Sequence, residues 1–130
     1  MTPAVLIVDD DRFIRKLITT TLEDVSGFSL LEAADGCAAL EAAAEHRPRL
    51  VFLDVDMPRL DGIGLVTRIR QDPQLQRLPV MIVSYKDRPD DRARGLEAGA
   101  DYYLAKGAFH DATLLEAVRD LVGPAVEGRP

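Results

Sequence analysis

Short apolar runs alternate with segments of helical periodicity along this chain. Five runs are rich in β-branched or other apolar residues and are bounded by turn-forming residues, which is typical of buried strands. They cover residues 4–8, 28–33, 50–53, 79–83 and 101–105. Between and after these runs, apolar side chains recur at three- and four-residue spacing, which predicts five amphipathic helices. The alternation predicts an α/β fold, in which helices cover both faces of a parallel sheet.

Glycine or a residue followed by proline limits the predicted helices. Gly27 is expected to end the first helix, and Asp11 is expected to cap its start. Phe13 and Leu17 belong to the apolar spacing of that first helix. Four of the predicted helices cover residues 13–25, 37–46, 60–69 and 114–122. The remaining helix, which is fourth in chain order, runs from Asp87 or Asp90 to Ala98.

Polar side chains follow the predicted strands at the points where the strands end. The carboxyl ends of parallel strands meet at one edge of a sheet, and ligands bind where two neighbouring strands diverge. In the strand order 2-1-3-4-5, the first and third strands are neighbours, so we expect Asp9, Asp10 and Asp54 to converge there. The residues at the strand ends are Asp9, Asp10 and Asp11, then Asp54 and Asp56, then Ser84, and finally Lys106.

Three converging carboxylates predict a site for a hard cation. Such acids repel one another unless a cation lies among them, and oxygen ligands without His or Cys favour Mg²⁺ over zinc. An aspartate beside the ion can attack a phosphoryl group and form an acyl phosphate. Lys106 would add a second positive charge, and Ser84 would donate a hydroxyl to a phosphoryl oxygen. The set lacks an obvious general base, which favours a phosphorylated switch over an enzyme of high turnover.

Composition narrows the function further. The net charge of −6 disfavours direct binding of nucleic acid through a basic surface. The single cysteine, Cys37, excludes an internal disulfide and a cysteine-rich metal site, and we expect it to be a buried or half-buried packing residue. The sequence has no signal-peptide pattern and no apolar run long enough to cross a membrane, so we expect a cytoplasmic location and no membrane partner.

These residues also match the motifs of a known family. Nearly the whole chain, about residues 4 to 122, resembles the receiver domain of two-component response regulators, and of chemotaxis regulators in particular. The resemblance implies a flavodoxin-like (βα)5 fold with sheet order 2-1-3-4-5. It also implies a receiver domain over residues 1–123, with residues 124–130 as a C-terminal tail or the start of a linker. The matching motifs are Val8-Asp9-Asp10, residues 53–58 with Asp61-Gly62, Val83-Ser84, residues 95–103 and Leu104-Ala105-Lys106.

The resemblance also implies roles for individual residues. Asp54 would accept a phosphoryl group from a sensor histidine kinase or a phosphotransfer protein. Asp10, Asp54 and the main-chain carbonyl of Asp56 would ligate Mg²⁺, and Asp9 would act mainly through a metal-bound water. Ser84 and Lys106 would contact the phosphoryl group. Ser84 and Tyr103 would then transmit the effect of phosphorylation to the face formed by the fourth helix, fifth strand and fifth helix. The resemblance leaves open whether the same face forms a homodimer. The downstream effector or fused output domain is not identified by the sequence.

Two positions depart from the family pattern. Gly107 follows Lys106 where a cis proline is usual, and a non-proline cis bond costs about 3 kcal/mol. Ala108-Phe109 after it is more typical of chemotaxis-type receivers. Tyr85 follows Ser84 where a small residue is common, and its ring is expected to crowd the phosphoryl pocket. We therefore predict slow dephosphorylation or restricted use of small phosphodonors.

Two other functions fit part of the pattern. A Mg²⁺-dependent phosphohydrolase on a similar sheet would share the acids, Ser84 and Lys106, with Asp56 as general acid. It would want a cap segment for substrate, for which 130 residues leave no room. A flavin-binding module would need a hydroxyl- and glycine-rich phosphate loop after the first strand, where this chain has three acids. In isolation, Ser84 would be a turn residue, Lys106 a surface residue and Tyr103 a packing residue.

Overall fold

The computed structural model describes residues 4–23, 29–57, 60–86, 88–106 and Glu116. All strand pairing in the sheet is parallel, and the strands lie in the predicted order 2-1-3-4-5. The predicted fifth helix, Gly27, Gly107 and the tail 124–130 lie outside these described residues. The elements are β1 (Ala4–Val8), α1 (Arg12–Glu23), β2 (Ser29–Ala33), α2 (Gly36–His46), β3 (Leu50–Leu53), α3 (Gly62–Gln71), β4 (Val80–Ser84), α4 (Pro89–Ala98) and β5 (Tyr102–Ala105).

The core lies on both faces of the sheet. Alternate side chains of a strand point to opposite faces, so Leu6 and Val8 of β1 join one cluster while Val5 and Ile7 join the other. Every residue of β3 and β4 is buried, as expected for central strands of a parallel sheet covered by helices. The first cluster contains Ala39, Ala43, Leu65, Val66 and Ile69 of α2 and α3, and the second contains Ile14, Ile18 and Leu22 of α1.

Aspartate side chains fix the starts of α1, α2 and α3. As predicted, Asp11 caps α1, because its Oδ1 accepts a hydrogen bond from the main-chain N–H of Phe13 at 2.9 Å. Asp35 accepts a hydrogen bond from the main-chain N–H of Ala38 at 2.8 Å, and Asp61 accepts one from Gly64 at 2.8 Å. The cap at Asp61 explains why α3 begins at Gly62 rather than at the apolar Leu60. None of the helices in the described part of the chain is long and apolar enough to cross a membrane.

Three side chains lie elsewhere than the sequence pattern predicts. Phe13 is 77% exposed and Leu17 is 43% exposed, although their spacing placed them on the inner side of α1. The stripe that contacts the sheet runs through Ile14, Ile18 and Leu22, which are spaced four residues apart. Consecutive residues of a helix are rotated by about 100°, so Phe13 and Leu17, each one residue before a member of this stripe, point away from the sheet. Cys37 is exposed in the first turn of α2, so its predicted packing role is wrong.

Gly62 brings the first turn of α3 into contact with the end of β3. A Cβ on Gly62 would lie 2.2 Å from the carbonyl oxygen of Asp54 and 2.8 Å from Cα of Val55. The N–H of Gly62 donates to the carbonyl oxygen of Val55 at 2.9 Å. The lack of a side chain at Gly62 therefore allows this helix start to lie directly against the backbone of Asp54.

Candidate functional site

An acid cluster lies beyond the carboxyl ends of β1 and β3. One carboxylate oxygen from each of Asp9, Asp10 and Asp54 lies within 4.8 Å of the others. Val8 pairs with Leu53 across the two strands, so the residues that follow them stand side by side. Asp9 and Asp54 are buried, whereas Asp10 is exposed. The convergence predicted from the strand order is confirmed.

Lys106 reaches the same cluster from the end of β5. Its Nζ lies 2.9 Å from Oδ2 of Asp9 and 3.5 Å from Oδ2 of Asp54, and only 5% of its side chain is exposed. Burial acts to lower the pKa of Lys106, but its hydrogen bond to Asp9 and the charges of Asp54 and Asp9 outweigh burial and raise that pKa. Lys106 is therefore a charged ammonium inside the cluster.

Asp54 is held by main-chain contacts on both sides. Its Oδ1 accepts a hydrogen bond from the N–H of Val55 at 2.8 Å, and its own N–H donates to the carbonyl oxygen of Val8 at 3.1 Å. Burial, with a smaller contribution from the charge of Asp9, raises the pKa of Asp54 to about 6, although Lys106 acts in the opposite direction. At neutral pH the group is thus mostly ionised but is poorly solvated.

The donor set fits Mg²⁺. The clustered ligands are carboxylate oxygens without His or Cys, which is the chemistry of a hard cation. One ammonium, that of Lys106, offsets only one of the three acidic charges of Asp9, Asp10 and Asp54. The excess negative charge favours a divalent cation beside the exposed Asp10.

Ser84 and Tyr103 meet at Lys86, in the loop between β4 and α4. The Oγ of Ser84 accepts a hydrogen bond from the N–H of Lys86 at 3.1 Å, and the hydroxyl of Tyr103 donates to the carbonyl oxygen of Lys86. Tyr103 is 5% exposed, and burial raises its pKa. The guanidinium of Arg92 lies 5.4 Å from the centroid of the Tyr103 ring and donates to the Tyr103 carbonyl oxygen at 3.3 Å. The two predicted switch residues therefore share one partner.

Asp56 and Tyr85 lie at the mouth of the site. The carboxylate of Asp56 is turned towards Lys86, with its Oδ1 3.5 Å from the ammonium nitrogen, so it stands apart from the three clustered acids. The ring of Tyr85 is exposed, and its centroid lies 4.8 Å from Nζ of Lys106. The Tyr85 ring thus lies beside the ammonium group, and its crowding of the phosphoryl pocket stays a prediction.

Sequence reasoning missed Lys86 and Arg92. Lys86 lies in the loop before α4 and Arg92 lies in α4, within a stretch of alternating charges that is normally solvated. Lys86 matters mainly through its main-chain N–H and carbonyl, which no side-chain pattern reveals. Its position two residues after Ser84 was the only signal that could have identified it.

The raised pKa of Asp54 predicts a pH-dependent gain in stability for Asp54→Asn without metal. The folded state binds the Asp54 proton more tightly than the unfolded state, because the pKa is about 6 rather than 3.8. Stability present below the lower value is therefore lost as pH rises towards 6. The amide carries no such proton, so we expect the variant to be more stable by about 1–3 kcal/mol at about pH 7.5, with no difference near about pH 4.

Urea denaturation in EDTA at the two pH values measures this difference. An equal free energy of unfolding for the wild type and Asp54→Asn at about pH 7.5 would contradict the raised pKa of Asp54.

Comparisons with known proteins agree with this geometry. The family model of the response regulator receiver domain matches residues 5–119. The chain is 42% identical over 120 residues to the transcriptional regulatory protein PrrA of Mycobacterium tuberculosis, a match that covers 92% of this chain and 50% of that protein. The chain thus spans about half the length of this relative.

Solved structures give the same result. The chemotaxis response regulator CheY4 of Vibrio cholerae superposes with a TM-score of 0.84 at 31% identity, covering 93% of this chain and 99% of the other. The receiver domain of a sensor histidine kinase of Pseudomonas aeruginosa superposes with a TM-score of 0.85 at 28% identity, covering 95% and 99%. That structure has a magnesium ion coordinated in its active-site cleft. These matches support a phosphoacceptor and not the phosphohydrolase alternative, and the chain belongs to the receiver domains of two-component response regulators.

Proposed function

We propose that Asp54 is the phosphoacceptor of this receiver domain. The observation that carries the proposal is the placement of a buried Asp54 carboxylate between two other acids and the ammonium of Lys106, 3.5 Å away. A poorly solvated carboxylate is a better nucleophile than a hydrated one, and the ammonium lies where it can receive a phosphoryl oxygen.

Asp10, Asp54 and the main-chain carbonyl of Asp56 would hold Mg²⁺, with Asp9 supporting the site from behind. Asp9 is the buried partner of Lys106, while Asp10 is exposed to incoming ions. Bound there, Mg²⁺ would offset the negative charge of the arriving phosphoryl group. A magnesium ion in the cleft of the Pseudomonas receiver domain supports the same ion here.

Transfer proceeds by attack of an Asp54 carboxylate oxygen on the phosphorus of a phosphohistidine. The new bond is P–O, the P–N bond breaks, and the imidazole nitrogen keeps the electron pair of that bond. Lys106 and the Ser84 hydroxyl donate to phosphoryl oxygens as charge shifts onto them. The donor is a sensor histidine kinase or a phosphotransfer protein.

The phosphorylated state is read out through Lys86. Phosphorylation adds up to about two negative charges at the acid cluster. If the Ser84 hydroxyl turns towards the phosphoryl group, the N–H of Lys86 loses its acceptor, and the same residue holds the Tyr103 hydroxyl. The shift therefore reaches Tyr103 and, through Arg92, helix α4.

The chain acts as a switch rather than an enzyme that turns over substrate. The match to the response regulator receiver domain over residues 5–119 supports this assignment. We assign residues 1–123 to the receiver unit and 124–130 to a tail or linker, which the family match over residues 5–119 supports. The effector or fused output domain, the homodimer and the cytoplasmic location stay predictions.

The function is tested with phosphoramidate, a small donor whose P–N bond resembles that of phosphohistidine. With Mg²⁺, the protein should gain the mass of one phosphoryl group, carried by the peptide that contains Asp54 and released by hydroxylamine. EDTA should prevent labelling. An acid-stable label on Ser or Thr would contradict the proposal, and steady turnover of a generic phosphate ester would favour the hydrolase.

Tyr85 is expected to lengthen the life of the acyl phosphate. Its ring stands 4.8 Å from Nζ of Lys106 and limits the approach of water and of small donors. Tyr85→Ala should therefore lose the label several-fold faster and accept phosphoramidate faster, whereas Tyr85→Phe keeps the ring and the wild-type behaviour. Decay of the labelled protein after removal of donor measures the effect, and equal decay in Tyr85→Ala would contradict it.

A further inference from the structure

Arg15 of α1 reaches back to the turn that carries the first two acids. Its Nη1 donates to the main-chain carbonyl oxygen of Asp9, and its Nε donates to Oε1 of Glu32 on β2 at 3.0 Å. The Arg15 side chain is 14% exposed, whereas that of Glu32 is 49% exposed. One guanidinium thus joins the turn after β1 to the neighbouring strand.

The main chain of Asp9 is held at both of its polar groups. Its N–H donates to the carbonyl oxygen of Ala33 at 3.1 Å, and its carbonyl accepts from Arg15. The Asp9 side chain accepts from the N–H of Asp11 at 2.8 Å and from Lys106 at 2.9 Å. Among these partners of Asp9, Arg15 is the residue that belongs to α1 and lies outside the acid cluster.

We propose that Arg15 is a positioning residue for the metal site, which fixes the main chain at Asp9 so that the carboxylates of Asp9 and Asp10 stay turned towards Asp54. The inference rests on the proposed Mg²⁺ site. Residues that orient ligands from outside the coordination shell typically alter metal affinity by about 10–100-fold when they are removed.

A role for Arg15 through its charge alone predicts the opposite change in Mg²⁺ affinity. A guanidinium near the acids repels a cation, so a role through charge alone would make Mg²⁺ bind more tightly to Arg15→Met. Removal of the negative charge in Glu32→Gln would then weaken binding, because the guanidinium would lose its neutralising partner. The positioning role predicts weaker binding in Arg15→Met and little change in Glu32→Gln, whose amide oxygen can still accept from Nε.

Mg²⁺ titration by calorimetry on the full chain distinguishes the two roles. We expect Kd for Mg²⁺ to rise about tenfold in Arg15→Met and to stay within about twofold in Glu32→Gln. Arg12→Met is the matched control, because it removes the same charge from an exposed position on the same helix. It should leave Kd unchanged or slightly lower.

Arg15→Lys keeps the charge but cannot span both acceptors, so its Kd should fall between those of the wild type and Arg15→Met. It also decides the matter if Arg15→Met does not fold, since the charge model expects wild-type binding in Arg15→Lys. Wild-type or tighter binding in a folded Arg15→Met, as judged by its melting curve, would overturn the inference and leave the proposed function standing. A wild type that binds no Mg²⁺ would overturn both.

Discussion

Asp54→Asn is expected to take no phosphoryl label from phosphoramidate and Mg²⁺, while Asp56→Asn is labelled much as the wild type is. The amide is nearly isosteric with the carboxylate but carries no charge and is a very poor nucleophile, so the acyl phosphate cannot form. The amide oxygen can still accept the hydrogen bond that the N–H of Val55 donates to Oδ1 of Asp54 at 2.8 Å, so the fold should survive. Mass spectrometry of the intact protein over a time course measures the label.

Asp56→Asn is the control that separates the two phosphoryl-transfer mechanisms. The proposed contribution of Asp56 is a main-chain carbonyl, which the substitution leaves in place, and its carboxylate pairs with Lys86 at the mouth of the site. In a phosphohydrolase the Asp56 side chain would be the general acid, and its loss would abolish turnover. Equal labelling of Asp54→Asn and the wild type would refute Asp54 as the acceptor.

Lys106→Met is expected to slow labelling by about a hundredfold and yet to tighten Mg²⁺ binding several-fold. The ammonium nitrogen lies 2.9 Å from Asp9 and 3.5 Å from Asp54, where it stabilises charge on the transferring group and competes with the cation. Loss of one such donor typically reduces a rate by about 10²–10³-fold. Loss of a positive charge several ångströms from a divalent ion favours the ion by about 1 kcal/mol or more near a protein surface.

Calorimetric Mg²⁺ titration and the labelling rate, measured on the same preparation, test both halves of this prediction. Lys16→Met, on the exposed surface of α1, is a control for the change in net charge. Weaker Mg²⁺ binding in Lys106→Met would show that the lysine shapes the site rather than competing for it. An unchanged labelling rate would remove Lys106 from the transfer step.

The strands were predictable from the sequence because they are buried, and the acid cluster was predictable because parallel strands end at the same edge of a sheet. A strand buried on both faces must be apolar throughout, so the run at Leu50–Leu53 is visible without an alignment. Once the strand order is chosen, parallel geometry brings the residues after β1 and β3 together. The meeting of Asp9, Asp10 and Asp54 thus needed no knowledge of loops.

Features that depend on the conformation of a loop, or on the angle between a helix and the sheet, were not predictable. The pairing of Asp56 with Lys86 and the bond from Tyr103 to the Lys86 carbonyl depend on how the chain turns after β4. The exposure of Phe13 depends on the angle at which α1 lies on the sheet, which a helical spacing of apolar residues leaves undetermined. No composition or period carries that information.

The contact at Gly62 makes one side of Asp54 much less able to move than the other. On one side, the start of α3 contacts the Asp54 peptide group so closely that there is no room for even a methyl group at Gly62. The main chain of Asp54 therefore cannot move towards α3. On the other side, Ser84 is joined to Lys86 by one hydrogen bond of 3.1 Å, which can break at small cost. Any displacement caused by phosphorylation of Asp54 is therefore directed towards β4 and α4. The lack of a side chain at Gly62 thus determines the direction in which the conformational change spreads.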